Sequence, residues 1–397
     1  MSADTTRRDD PAALTEARTT PPNGVMMSPT VLRRVLSPAA LVRLLPPWVA
    51  VAIAPALMPW LGHAPIPVVI VALVVLVAVI LVAAFGVVEQ AEQLAHRLGD
   101  PYGTLILTLS VVIIEVVLIA AVMLGPGEHT TIARDSVAAV MMIILNLVVG
   151  ACLLIAGLRH RTVAAHNRTG TSVYLAMIGA LVVVAFVLPA ALGSGGGYSP
   201  AQAIIFAVLT VLTYGVFLWL QMGRQAADYR DPDRPDAPTR TADRGPRSEL
   251  WWRAGVLVGT LVPIVLLSHD MAGLLDRVLD AAGAPVALSG LLIAIIVFTP
   301  ETLTSVRAAL RNETQRVINL NLGAFVSTVG LTIPSVLVIG LLTGQQVILA
   351  PDPAMLAVII ATVGVSAVTF LVPRASASQG VIHLAMFGVS LVVLLGL

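Results

Sequence analysis

Eleven times along this chain of 397 residues, a nearly unbroken apolar run is about as long as a bilayer is thick. The runs fall at about 41–61, 65–88, 103–124, 136–158, 173–192, 201–222, 251–267, 288–306, 317–342, 355–372 and 381–396. A spanning helix needs about 20 such residues. In hydrocarbon each backbone N–H and C=O must be satisfied within the protein, so runs of this kind form helices. The chain is therefore expected to be an all-α integral membrane protein with about 11 transmembrane helices. Its balance of 57% hydrophobic and 11% charged residues agrees, since soluble domains carry about 25% charged residues.

The polar stretches divide the chain. Residues 1–40 are rich in Arg, Asp, Thr and Pro, lack the apolar core of a signal peptide, and read as a disordered cytoplasmic tail. Residues 223–250 are mixed in charge and Pro-rich, and read as a flexible cytoplasmic linker. Residues 41–222 and 251–397 are then two transmembrane halves. Pro46, Pro47, Pro55 and Pro59 are expected to interrupt the first run, and Pro263 to bend the short seventh one.

All 23 basic residues are arginines, and their positions predict an orientation. With the N-terminus cytoplasmic, the inside connections carry Arg97, Arg159, Arg161, Arg168, Arg307, Arg311, Arg316 and Arg374, and the linker adds more. The outside connections carry only Arg134 and Arg277. That asymmetry satisfies the positive-inside rule and leaves the C-terminus outside. It also makes the runs two to six and seven to eleven a pair of five-helix repeats of opposite orientation, with the first run as an extra helix. Inverted halves meeting at a midplane site are the architecture of alternating-access transporters.

Within this frame two carboxylates stand out. Glu115 lies in GTLILTLSVVIIEVVLIAAVMLG (103–125), and Glu301 in LSGLLIAIIVFTPETLTSVRAA (288–309). Both sit near mid-membrane, where a charge costs about 2.5–3.5 kcal/mol on insertion scales. Two buried carboxylates facing each other can hold protons or a hard cation such as Ca²⁺, and are strongly repulsive when bare. The minimal cycle exchanges one Ca²⁺ for two H⁺. Helical spacing places Thr304 and Ser305 on the face of Glu301 and Thr108 on that of Glu115. Asn146, Ser327 and Thr328 lie at matching depth on the helices that follow, whereas Asn319 and Asn321 fall nearer the inner surface. Pro300 frees the carbonyl of Ile296 as a further oxygen. These residues form the expected ion- and proton-binding set, with Glu115 and Glu301 as the metal ligands. Glu89, Glu92 and His96, at helical spacing beside the third run, read as a solvated interfacial turn, with a pH gate as the alternative; His383 reads as a packing residue and Gly193–Gly197 as an exposed flexible loop.

The stretches AEQLAHRLGDPYGTLILTLSVVIIEV (91–116) and PETLTSVRAALRNETQRVINLNLGAFVSTVGLTIP (300–334) resemble the two signature repeats of the calcium:cation antiporter superfamily, and within it the bacterial calcium/proton antiporters of the ChaA type. The resemblance implies exchange of Ca²⁺, or of Na⁺ or K⁺, against H⁺, with the repeat glutamates as ligands. Those roles fall on Glu115 and Glu301. Exchangers that bind several Na⁺ typically place Ser or Thr in the turn before a Pro-Glu pair; here Glu115 follows VVII and Glu301 has only Thr299 and Pro300. That departure suits proton coupling.

Other classes find little support. There is no acidic ring or filter sequence for a channel, and no nucleophile–base pair or HExxH motif for an enzyme. The lone Cys152, inside an apolar run, excludes an internal disulfide and a Cys-based metal site. No basic patch with interleaved aromatics points to nucleic acid. The expected partners are the lipid bilayer and the transported ions, and no cofactor is implied.

Overall fold

The computed structural model describes residues 35–98, 102–124, 130–192, 195–232, 247–285 and 287–396. Among them are eleven long helices and no strand. They are α1 (Pro38–Leu61), α2 (Ile66–Leu98), α3 (Tyr102–Met123), α4 (Ile132–His160), α5 (Arg168–Leu192) and α6 (Pro200–Met222), followed by α7 (Arg247–Ala282), α8 (Ala287–Leu310), α9 (Thr314–Thr343), α10 (Pro353–Phe370) and α11 (Ala377–Leu395). Each matches one apolar run. Ten are long and apolar enough to span a membrane, and the apolar part of α3 covers Leu109–Met123.

The prolines do not interrupt α1, which is continuous with all four inside it. Its buried residues are Ala40, Pro47, Ala54 and Leu61, a stripe that repeats every seventh residue. Pro46, Pro55 and Pro59 lie off that stripe on the exposed side, so the bends they favour do not disturb the packed seam. The stripe rests on α2 and α7, where the Trp48 indole donates to the Gly259 carbonyl at 2.8 Å and Arg43 pairs with Glu89. Helix α7 is far longer than its apolar run. Ser268, His269 and Asp270 end the run, yet the helix continues to Ala282. At 1.5 Å per residue its 36 residues span about 54 Å, well beyond a hydrocarbon core of about 30 Å. It packs along the other very long helix, α2, of 33 residues.

The halves obey a two-fold exchange. Replacing α2, α3, α4, α5 and α6 by α7, α8, α9, α10 and α11 converts each substantial packing between the halves into another one that is also present. Thus α3 packs on α9 as α8 packs on α4, α4 on α11 as α9 on α6, and α4 on α10 as α9 on α5; α2–α7, α3–α8 and α5–α10 map onto themselves. Loop contacts confirm that successive helices run in alternate directions. At one face, His160 approaches the Leu310 carbonyl at 3.1 Å, Ala164 N–H donates to Asn312 at 3.0 Å, and Asn167 N–H donates to Gln315 at 2.6 Å. At the opposite face Ile348 N–H donates to Thr130, while Leu349 and Ala350 both donate to the Gly196 carbonyl, all at 2.9 Å. The first is called the linker face below, because α6 ends and α7 begins there. Gly196, expected in a free loop, is thus fixed; its φ of 77° and that of 79° at Gly195 are the left-handed conformations that glycine tolerates. Of the expected tail only residues from 35 onward are described, and of the linker only 223–232 and 247–250, the latter as the start of α7.

Candidate functional site

Helices α3 and α8 pack against each other at the centre of the bundle, each also touching the core helix of the other half. Glu115 lies 13 residues after the start of α3 and Glu301 lies 14 after the start of α8, so the two antiparallel helices present them at similar depth. Glu115 is fully buried at 0% exposure, and neither of its carboxylate oxygens has a hydrogen-bond partner among the described residues. Glu301 is half-buried, with Oε2 shielded and equally unpartnered. The Glu115 carboxylate feels the field of Glu301. A buried, unpaired carboxylate is expensive in an apolar surround, so a proton or a cation must neutralise it.

The hydroxyls that face Glu115 come from α9. Thr328 and Thr332, one turn apart on one side of that helix, are both turned toward its carboxylate. Thr332 is fully buried and its hydroxyl has no partner among the described residues. It was missed in the sequence, although its spacing of four from Thr328 on an apolar helix is a usable signal. Glu92 on α2 is a second addition. It reaches the field of Glu301, whereas its neighbour Glu89 is held by Arg43. The side chains of Thr108 and His96 lie outside the described residues.

The remaining expected residues are engaged elsewhere to different degrees. The Thr304 hydroxyl donates back to the Pro300 carbonyl at 3.1 Å, and that of Ser327 to Gly323 and Ala324, both at 2.9 Å. Such bonds within a helix still leave oxygen lone pairs. Ser305 is buried and accepts from Asn321 Nδ2 at 3.0 Å, which ties α8 to α9. Asn319 donates to the Tyr229 carbonyl at 2.7 Å. Asn146 is fully buried in a polar chain between α4, α10 and α11. Its Nδ2 donates to Thr362 Oγ1 at 2.9 Å, its Oδ1 faces His383 Nδ1 at 3.3 Å, and His383 Nε2 meets Thr369 Oγ1 at 3.0 Å. With Asn146 Oδ1 as acceptor, Nδ1 is a protonated nitrogen of the ring. His383 is thus a satisfied buried residue.

The backbone break also falls in an unexpected place. Helix α8 runs through Pro300 without a gap, while α4 widens into a π-helical stretch over Met142–Val148 that contains Asn146. An extra residue per turn re-aims side chains and loosens the carbonyl ladder, and such turns concentrate at functional sites.

A profile of the sodium/calcium exchanger protein family matches residues 68–223 and 252–396, leaving out α1 and most of the linker. The chain belongs to this family. The exchanger is 37% identical to the putative ionic transporter y4hA of Sinorhizobium fredii over 78% of its own length and 84% of that protein. It is 34% identical to the sodium-potassium/proton antiporter ChaA of Escherichia coli, covering 83% and 90% of the two chains. Its fold is that of the H⁺/Ca²⁺ exchanger CAX crystal structure, with a TM-score of 0.64 at 14% identity over 92% and 89%. This exchanger is a multi-pass membrane antiporter rather than an enzyme. The ions it moves are substrates, and it needs no cofactor.

Proposed function

We propose that the exchanger couples Ca²⁺ movement to countermovement of H⁺, with Glu115 and Glu301 holding the cation and protons in turn. The observation that carries this reading is the buried Glu115 carboxylate, unpartnered among the described residues, across from the half-buried Glu301 with its shielded and equally unpartnered Oε2, and with the Thr328 and Thr332 hydroxyls turned toward Glu115. Among the described residues no group of three or more His, Cys, Asp and Glu could hold a metal. A bound cation would therefore complete its shell with hydroxyl, carbonyl and water oxygens, the donors that hard cations take. Thr304, Ser305, Ser327 and Asn146 are the outer contributors to that shell. Two carboxylates neutralised by one Ca²⁺ or by two H⁺ make the two loaded states interchangeable and the empty state unfavourable, which enforces exchange. Na⁺ or K⁺ in place of Ca²⁺ is the second reading, favoured by the 34% identity to an antiporter named for those ions. The arginine asymmetry makes the linker face cytoplasmic, with the C-terminus outside.

The test is proton flux in proteoliposomes loaded with a pH-sensitive dye. A pH gradient that collapses on addition of Ca²⁺ supports the first reading; collapse with Na⁺ or K⁺ alone transfers the same site to a monovalent cation. A gradient that survives all three removes proton coupling.

A further inference from the structure

At the face opposite the linker, a cavity of about 90 Å³ opens between α4, α10 and α11, with room for a few waters. Three of its walls can be placed in register. On α4 it includes Ala138, eight residues before Asn146. On α10 it includes Asp352, whose side chain caps the helix, and Met355 three residues on. On α11 it includes Phe387, one turn beyond His383.

The two-fold exchange carries these helices onto α9, α5 and α6 at the linker face, and there the same register is filled. On α9, Asn319 lies eight residues before Ser327 and donates to the Tyr229 carbonyl. On α5, Asn167 caps the helix as Asp352 does, and Gly170, three residues on, is pressed against the Asp228 carbonyl. On α6, Tyr214 faces Ser327 as His383 faces Asn146, and Phe217 follows it by three residues where α11 has Phe387 four residues beyond His383. Into this space the first turn of the linker, Ala226–Tyr229, inserts one aromatic ring. Tyr229 is 8% exposed and packs edge-on against Tyr174 at 5.1 Å and Phe217 at 6.4 Å. Its hydroxyl is buried without a partner among the described residues, so shape rather than a hydrogen bond seats it.

We infer that the Ala226–Tyr229 turn is a plug, which closes at the linker face the pocket whose counterpart is open at the other. Alternating access requires the two ends of an inverted repeat to exchange such states. The turn is therefore part of the gate: lifting Tyr229 uncovers Asn319 and the α9 face that continues two turns deeper to Ser327. The role in gating rests on the exchange reading above, but the plug itself is testable without transport.

The test uses a Cys152→Ala background with Ser327→Cys as a reporter at the deep end of the plugged pocket, treated with a water-soluble methanethiosulfonate from the linker face. Tyr229→Ala removes the plug, and Gly170→Ala lifts it from the other side, because the added methyl would collide with the Asp228 carbonyl. Each is expected to raise the labelling rate about tenfold, the signature of a weakened local closure. Tyr229→Phe should keep the parent rate, since the hydroxyl has no partner among the described residues. Unchanged labelling in both opening variants overturns the inference. So does Tyr229→Phe matching Tyr229→Ala, or an equal rise at Ser390→Cys in the opposite pocket, which would mean general loosening. No cation gradient enters the measurement, so it stands or falls apart from the exchange reading.

Discussion

Glu249 joins the two longest helices, and its removal should measure how firmly they are joined. It lies at the linker-face end of α7 and is 1% exposed. Its Oε2 accepts from Arg97 Nη2 on α2 at 2.6 Å, and its Oε1 accepts from Arg253 Nε and Nη2, one turn along α7, at 3.0 and 2.9 Å. Arg253 is itself 9% exposed, and Gln90 lies 3.5 Å from its Nη1. Removing one partner of a buried pair costs about 3–5 kcal/mol, mostly because the other charge is stranded. Here the Arg97 side chain keeps 18% of its surface exposed and can rehydrate. The stranded charge is then Arg253 alone, itself slightly exposed, and the cost falls just below that range, about 2–3 kcal/mol. At about 2 °C per kcal/mol for a large chain, Glu249→Gln should lower the unfolding midpoint in detergent by about 4–6 °C. Tryptophan fluorescence on heating reads this directly. The double variant Glu249→Gln/Arg253→Gln should recover part of the loss, because the stranded cation is gone. A double variant less stable than Glu249→Gln by the full effect of Arg253→Gln alone would refute the reasoning.

His166 offers a pH-dependent counterpart. It lies in the α4–α5 loop at the linker face, with Nε2 at 3.0 Å from the Phe370 carbonyl, and burial followed by the nearby Arg168 charge holds it below the usual imidazole range. The unfolded loop thus binds the proton more readily than the folded one, so loop stability should be full above about pH 6.5 and decline as pH falls below it. Amide exchange in residues 161–167 should speed up on acidification, and His166→Gln should flatten that dependence; an equal dependence in the variant would exclude His166 as its source. At the site, Thr332→Val removes an oxygen facing Glu115 and should weaken apparent cation affinity about tenfold with little loss of folded protein, read as the half-saturating concentration for flux; an unchanged value would remove Thr332 from the coordination shell. Gly290 on α8 lies so close to α4 that a Cβ would come within 2.6 Å of Ser136 N. Gly290→Val should separate the helices and reduce folded yield by size-exclusion chromatography, and normal yield would show that α4 and α8 can part freely.

Much of this architecture is legible in the chain because lipid imposes a simple rule. Each of the eleven runs became a helix, and the two carboxylates inside such runs came out at similar depth, Glu115 buried and Glu301 half-buried. What escaped has physical reasons. The length of α7 is hidden because Ser268, His269 and Asp270 end the apolar run without ending the helix. The π-helical turn around Asn146 has no compositional mark, whereas Pro300, which has one, leaves α8 continuous. The docked turn at Tyr229 is masked by the polar residues around it, since one aromatic side chain in a charged segment does not alter its average. Thr332 was readable only by pairing it with Thr328 on one helical face.

The central claim is that both glutamates are needed for coupling. It is tested most directly by Ca²⁺-triggered proton movement in vesicles carrying the parent chain, Glu115→Gln or Glu301→Gln, each checked for folded protein. The account predicts loss of exchange in either variant, because one remaining carboxylate can no longer balance Ca²⁺ against two protons. Exchange that persists in both variants would contradict it.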